Sequence, residues 1–493
     1  MEDRNIIGPA LLSACLWLAA FPPLNLWWLS FFAAVPLFIG ITNQRSTKSA
    51  FKLGALFGLL FIGGFHSWIL ELRAWGPTVG VSIMWVLYSL YLSLFYGALS
   101  ATLYKFKSAI WSFPVIWIGF EYLKSISAIG NPAGSAGYTL GFAPLLNQVA
   151  SIGGIFLLSF LVIVINTLIF YTVNARPKYS YKYLGIAAIT LVMWIGVGYL
   201  SLNQTPSPIG YKNVSIIQPN HPQEKKLNKY SWATLRKEHL RLIEKNIVTA
   251  KPSLIFLPET ITPGLNTKRP HFIHPLSELS QKHSIGIFFG TPIKRNTQYF
   301  NSIALMTPNG LSKETYDKVQ LMPFGEYWPA KSLFLSLGLK NVIPGNEFTP
   351  GKGLWPLLYD DTEVGALVCL ESIYPWIGRE MVKNKATLLY VAANNAWFFD
   401  SSAANKHLQM STLRAIETHR SLLHVTNTGI SAFINPKGKI GQETILDTQA
   451  IITKTVPLYS NKTVYILIGE SWILLLILLS VGIGLYRKKL RKS

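Results

Sequence analysis

Val364-Gly-Ala-Leu-Val368-Cys369-Leu-Glu371 is a short apolar run that ends on a thiol. Its first five residues are apolar, mostly small or β-branched, and show no helical period, so they read as a buried strand with Cys369 at its carboxyl end. The same pattern recurs at Val214-Ser-Ile-Ile-Gln218, Ser253-Leu-Ile-Phe-Leu257, Ile285-Gly-Ile-Phe-Phe-Gly290, Ser302-Ile-Ala-Leu-Met306 and Leu388-Leu-Tyr-Val-Ala392. Residues 230–249, 273–283 and 402–420 between and after them read as amphipathic helices. Strands alternating with helices predict a layered α/β domain with helices covering the sheet faces.

Two further strand ends carry reactive side chains. Leu257-Pro258-Glu259-Thr260 ends on a carboxylate and Tyr316-Asp317-Lys318 on an amine. Ligands of α/β sheets bind outside the strand carboxyl ends. A carboxylate, an ammonium and a thiol gathered there supply a base, a stabiliser of developing negative charge and a nucleophile, the set for acyl transfer through a covalent intermediate. Each alone has an ordinary reading: Cys369 as a small core residue, Glu259 as a solvated turn carboxylate, Lys318 as a surface amine. Together, in their local contexts, the three favour chemistry.

The rest of the chain is of another kind. Half of its 493 residues are apolar and the mean hydropathy is +0.31, more than one soluble core uses. Apolar runs of the length a bilayer requires fall at about 6–21, 24–41, 53–71, 79–104, 108–124, 145–173, 183–202 and 464–486. A polytopic helical membrane protein of about eight spans is expected, divided into a transmembrane domain at 1–204, a catalytic domain at 205–460, and a last span with a basic tail at 461–493. The first run is expected to be retained, because a second follows directly after Pro22-Pro23. Ionisable residues in the spans are few, with His66, Glu71 and Glu121 near span ends, which argues against a transporter carrying an accessory domain.

The net charge of +22 would suggest nucleic acid if it were clustered. Residues 205–460 contribute only +10 of it and the remaining +12 lies in short loops and the tail. Arg45, Lys48 and Lys52, then Lys105 and Lys107, then Arg176, Lys178 and Lys182, and finally Arg487, Lys488, Lys489, Arg491 and Lys492 all fall on one side when eight spans are counted. Basic loops mark the cytoplasmic side, so 205–460 is expected outside the cytoplasm and the C-terminus inside. Cys15 and Cys369 are the two cysteines. One lies in a span and one in the globular part, so both are expected as free thiols and no metal-type spacing exists.

Leu257-Pro258-Glu259, then Lys318-Val-Gln-Leu-Met-Pro323-Phe324-Gly325-Glu326-Tyr327-Trp328-Pro329, then Cys369-Leu370-Glu371 resemble the Glu–Lys–Cys motifs of the nitrilase, or carbon–nitrogen hydrolase, superfamily. With its membrane spans the chain resembles the apolipoprotein N-acyltransferase family within it. Val214–Gln218, Asn394-Asn395-Ala396-Trp397-Phe398, Arg414-Ala-Ile-Glu417, Thr426-Asn427-Thr428-Gly429 and Ala150-Ser-Ile-Gly-Gly154 extend the likeness over nearly the whole chain. The chain departs from the family pattern at Leu370 and Leu227, where aromatic residues are usual, at Asn395, where an aspartate is usual, and in the Gly130–Gly134 loop, which lacks aromatic residues.

The resemblance implies an αββα sandwich and a two-step transfer in the bacterial inner membrane, with no metal or cofactor. An acyl chain passes from a phospholipid, typically phosphatidylethanolamine, to Cys369 as a thioester, and then to the α-amine of a diacylglyceryl-modified apolipoprotein. Glu259 is the expected base, Lys318 the expected oxyanion partner together with the Leu370 N–H, and Glu326 the residue that orients Lys318. Glu371 shares the pocket without an assigned role. Trp397, Tyr327 and Trp328 are candidates for substrate contact, and the segment from Trp328 through Phe334, Leu335 and Leu337 reads either as a lid dipping into lipid or as core. The competing reading with the same triad is a membrane-anchored amidase or nitrilase acting on a small amide or nitrile.

Overall fold

The computed structural model describes residues 5–109, 112–127, 129–174, 177–204, 206–261, 270–329, 331–336 and 347–490. Two compact units result, Met1–Thr205 with Thr463–Ser493, and Pro206–Lys462.

In the first unit four described helices are long and apolar enough to cross a membrane: Thr47–Phe65, Thr78–Lys105, Ala150–Asn174 and Ser180–Asn203. The shorter apolar helices are Ile7–Ala20, Trp27–Thr42 and Ser471–Ile483. The run 24–41 is not one continuous α-helix. A 3₁₀ turn at Trp27–Phe31 gives way to a helix at Val35–Thr42, and Pro36 in the first turn of that helix has no N–H to carry a ladder across the break. The buried Asn166 amide serves the interrupted backbone, donating to the Ser30 carbonyl and accepting from the Ala34 N–H, both at 2.8 Å. In an apolar solvent such groups need a partner inside the protein.

The run 53–71 likewise ends its α-helix at Phe65 and continues as 3₁₀ turns over Ser67–Ala74. The helix at Ala150–Asn174 is kinked at Gly153 and Gly154. Gly154 has φ +68°, and a Cβ there would lie 2.6 Å from the Tyr465 ring, so only glycine fits without displacement. Helices Thr47–Phe65 and Thr78–Lys105 approach backbone to backbone, a Cβ on Gly54 falling 2.3 Å from the Tyr96 carbonyl. Small residues at such spacing let apolar helices pack through dispersion. Glu121, buried, accepts from Trp117 Nε1 and the Ala136 N–H, while Lys124 donates to the Ala133 carbonyl. The pair fixes the loop that follows its own helix.

The second unit carries thirteen described strands: β1 Gly210–Gln218, β2 Leu254–Phe256, β3 Gly286–Arg295, β4 Gln298–Thr307, β5 Gly310–Leu311, β6 Tyr316–Asp317, β7 Leu357–Tyr359, β8 Thr362–Val368, β9 Leu388–Ala393, β10 Ser421–Thr426, β11 Ala432–Ile434, β12 Ile440–Glu443 and β13 Ala450–Leu458. One sheet runs β13-β1-β2-β3-β4-β5 with β6 beside β4, and the other runs β12-β11-β10-β9-β8-β7. Each has a parallel centre, β1-β2-β3 and β8-β9-β10, with antiparallel flanks. Parallel strands are buried on both faces, which is why these runs are continuously apolar.

The sheets face one another. Phe256 and Phe288 of one stack at 4.9 Å and meet the Tyr390 ring of the other, and Tyr390 donates its hydroxyl to the Leu257 carbonyl. On the outer face of the first sheet, Leu242, Ile243 and Ile247 of helix Trp232–Ala250 and Leu276 of helix Pro270–His283 pack on Ile217, Ile255, Ile287 and Phe289. Helices Pro375–Lys383 and Ala403–Thr418 lie against the second sheet, completing four layers. The helix read at 402–420 ends at Thr418, because His419 turns into the left-handed region at φ +50°. Such a stop is usually glycine, and the strand β10 that follows was hidden behind it.

Candidate active site

Cys369 leaves β8 with φ +54°, a left-handed backbone that costs a non-glycine residue about 1–3 kcal/mol and is held only by its surroundings. The turn exposes part of the residue, and the Asn394 N–H at the end of β9 meets its sulfur. Glu371 holds the turn. Fully buried, its carboxylate accepts from Val368 N at 2.7 Å, just before the thiol, from Tyr316 Oη at 2.7 Å, and from the Val319 and Gln320 N–H groups at 2.7 and 3.0 Å, just after Lys318. One side chain therefore ties the strand end carrying the thiol to the one carrying the amine.

Lys318 is buried and its Nζ lies 2.8 Å from Glu326 Oε2. Its backbone is fixed on both sides, N–H to the Asn301 carbonyl and carbonyl from the Gly351 N–H, each 2.8 Å. Glu326 also accepts from Met322 N at 2.7 Å, inside the turn made by Pro323-Phe324-Gly325. Asn301 of β4 links the remaining carboxylate: its Nδ2 donates both to Glu259 Oε1 and to Glu326 Oε1 at 2.8 Å. The two hydrogens of one amide nitrogen thus serve two carboxylates that would otherwise repel.

The charges are mutually adjusted. Burial disfavours the Lys318 ammonium, but Glu326, then Glu259 and Cys369 outweigh it and raise its pKa, so it stays charged. The Cys369 thiol is pushed well above the ordinary range, first by burial and next by Glu259, against the pull of Lys318. Burial likewise raises Glu371 in spite of Lys318 and its hydrogen-bond donors. The resting thiol is therefore protonated and needs a base at the moment of attack.

Glu259, Lys318, Glu326, Cys369 and Glu371 thus act on one another's charges, and Leu370 follows Cys369, half-buried, in the turn Cys369–Ile373. Tyr327 and Trp328 follow Glu326 in the same turn, half-buried; the Tyr327 carbonyl accepts from the Phe324 N–H, and Trp328 N donates to Glu347. Trp397 is half-buried in the 3₁₀ turn Asn395–Phe398 after β9, with Phe398 in the core. Leu337 of the suggested lid lies outside the described residues, as do the side chain of Phe334 and, for the charge reading, Arg176, Arg491 and Lys492. Among the described residues no three His, Cys, Asp or Glu side chains gather as a metal site would require.

Asn301 and Lys226 are among the residues that escaped the sequence reading. Asn301 looks like any polar residue in a strand; only the convergence of Glu259 and Glu326 on it gives it meaning. Lys226 sits in Gln223-Glu-Lys-Lys-Leu227, which reads as a solvated charge cluster, yet its Nζ is buried and donates to the Glu259 carbonyl at 3.4 Å. Burial lowers its pKa to about 8, with Glu259 opposing. The neighbouring Leu227 points half into solvent.

Two facing sheets with parallel centres, bearing a thiol, an ion-paired lysine and a carboxylate at adjoining strand ends, define a carbon–nitrogen hydrolase-type domain. The family model for the carbon–nitrogen hydrolases matches residues 194–463, and that for the apolipoprotein N-acyltransferase N-terminal domain matches residues 13–168. Among solved structures the chain is similar to a carbon–nitrogen hydrolase from Helicobacter pylori G27, at 17% identity with TM-score 0.38, covering 50% of this chain and 89% of that one. The chain belongs to the apolipoprotein N-acyltransferase family. It is 30% identical to the apolipoprotein N-acyltransferase of Pasteurella multocida, over 98% of this chain and 96% of the relative. It is 29% identical to that of Geobacter metallireducens, over 94% and 91%.

Proposed function

We propose that the chain transfers an acyl group from a phospholipid to the N-terminal amine of an apolipoprotein through a thioester on Cys369. The observation that carries this reading is the coupled group itself. A protonated thiol sits within the field of Glu259 and of an ammonium kept charged by Glu326. Family membership over the whole chain supplies the substrates.

In the first half-reaction Glu259 takes the thiol proton as Sγ attacks the ester carbonyl carbon. Lys318 and the Leu370 N–H receive the oxyanion. Collapse breaks the C–O bond, and the lysophospholipid leaves with the proton from Glu259. In the second, the neutral α-amine attacks the thioester, Glu259 takes a proton from the attacking nitrogen, the C–S bond breaks, and the proton returns to the sulfur. Glu326 holds Lys318 in place, Asn301 holds the two glutamates apart, and Glu371 keeps the amine and thiol strands in register. Tyr327, Trp328 and Trp397 flank this group and contact substrate.

The donor is phosphatidylethanolamine in this reading. Eight spans place 205–460 on the periplasmic face of the inner membrane and the C-terminus in the cytoplasm, with 1–204 and 461–493 in or beside the bilayer. The alternation of basic loops and the apolar helices of the first unit support that topology. The direct test uses purified protein with phospholipid and a diacylglyceryl peptide. Cys369→Ala should release no lysophospholipid and acylate no peptide, and undiminished release would remove Cys369 from the mechanism.

A further inference from the structure

We propose that His407 is a positioning residue for the oxyanion site: its ring N–H holds the Cys369 carbonyl and thereby aims the Leu370 N–H, which belongs to the same peptide plane. The proposal rests on the reading above, in which the Leu370 N–H shares the oxyanion with Lys318.

His407 is buried on helix Ala403–Thr418, with Nε2 3.0 Å from the Cys369 carbonyl oxygen and 2.8 Å from Ser372 Oγ. Ser372 Oγ lies 3.3 Å from the same carbonyl. A carbonyl oxygen only accepts, so an unprotonated Nε2 at 3.0 Å would set two lone pairs against each other; the proton is on Nε2. Burial lowers the pKa of His407 to about 4, so near neutrality the ring is uncharged and carries only that one proton.

The consequence follows from peptide geometry. The Cys369–Leu370 unit is planar and trans, so its C=O and N–H point in opposite directions along one rigid frame. Fixing the oxygen fixes the line along which the Leu370 N–H points. An anchor is needed here because Cys369 sits in the left-handed region, where the chain's own preference does not select this orientation. A donor on the carbonyl also polarises the amide and strengthens its N–H as a donor, by about 10–30%.

The anchor itself is fixed. The His407 ring packs edge-on against His424 of β10 at 4.7 Å. Two turns further along the helix, the buried Arg414 donates to the Ser372 and Ile373 carbonyls at 3.4 and 3.3 Å and pairs with Glu417 at 2.8 Å. The helix thus grips the turn after the thiol at three successive points, and His407 is the grip on the reacting peptide.

Two reactions of the same thiol separate this role from others. Acylation passes through an oxyanion; alkylation by iodoacetamide displaces iodide from a saturated carbon and forms none. In the full-length protein with phospholipid, His407→Leu and His407→Asn should slow acyl-thioester formation by about tenfold or more, as for a weakened oxyanion donor, while Cys369 alkylates at close to the wild-type rate. The asparagine amide corresponds in reach to Nδ1 and is too short, whereas His407→Gln places its nitrogen near Nε2 and should regain most of the rate. Wild-type acylation by His407→Asn, parallel loss of acylation and alkylation, or a glutamine variant no faster than the asparagine one would each overturn the proposal. If the leucine variant fails to fold, the asparagine–glutamine comparison decides. A wild-type protein that acquires no acyl group on Cys369 would instead sink the nucleophile assignment, before any variant is compared.

Discussion

Glu371→Gln keeps the shape of the side chain that joins the thiol and amine strands and removes one acceptor. In the wild type one oxygen serves Val319 N and Gln320 N and the other serves Tyr316 Oη and Val368 N. Turned with its oxygen toward Val319 and Gln320, the glutamine presents an NH₂ to Tyr316, whose hydroxyl can rotate to accept, and to the Val368 N–H, which cannot. One buried donor is stranded, at about 1–3 kcal/mol. Loss of the negative charge adds little, because burial already outweighs the donors and raises the Glu371 pKa. A domain of this size loses roughly 2–4 °C per kcal/mol, so its thermal midpoint, followed by circular dichroism, should fall by on the order of 5 °C. Val368 precedes the nucleophile, so acyl-thioester formation should also slow by about tenfold or more, since small misplacements of reacting groups are costly. An unchanged midpoint with an unchanged rate would refute the idea that Glu371 sets the register.

Three further outcomes follow from the same geometry. Lys318→Arg keeps the charge but replaces a compact ammonium, 2.8 Å from Glu326, with a planar fork, so turnover should fall by on the order of 100-fold; near-normal transfer would make Lys318 structural. His221, His407 and His419 have pKa values lowered to about 4, by burial first in each case, so their neutral forms contribute stability above their ordinary pKa near 6.5 that is lost as pH falls through 4. The thermal midpoint should therefore drop between pH 6.5 and 4, and a flat or rising midpoint would contradict it. Because the Cys369 pKa is raised, its alkylation rate should keep climbing through pH 10, and a plateau near 8.5 would show an ordinary thiol.

The ends of β2 and β8 were legible in the sequence because a parallel strand buried on both faces must be apolar throughout, so a Glu or Cys at its end stands out, whereas Lys318 follows the two-residue β6, antiparallel to β4. The flanking Lys318–Pro329 segment was legible for its density of turn residues. Asn301, Lys226 and His407 were not, since each acquires its meaning from chains far away in sequence: Glu259 and Glu326 meeting one amide, or a helix side chain reaching the Cys369 carbonyl. β10 was hidden by a histidine in a left-handed stop where glycine would have marked the boundary. In the first unit, hydropathy located the apolar runs, but the breaks at 32–34 and at Gly153–Gly154 depend on Asn166 and Tyr465 arriving from elsewhere.

Intact-mass measurement of the full-length protein after incubation with phospholipid and no acceptor addresses the central claim. A single fatty-acyl adduct is expected that maps to Cys369, is cleaved by hydroxylamine as a thioester, and disappears when a diacylglyceryl peptide is added, with the peptide gaining the same mass. An adduct elsewhere, or peptide acylation at the wild-type rate by Cys369→Ala, would contradict it.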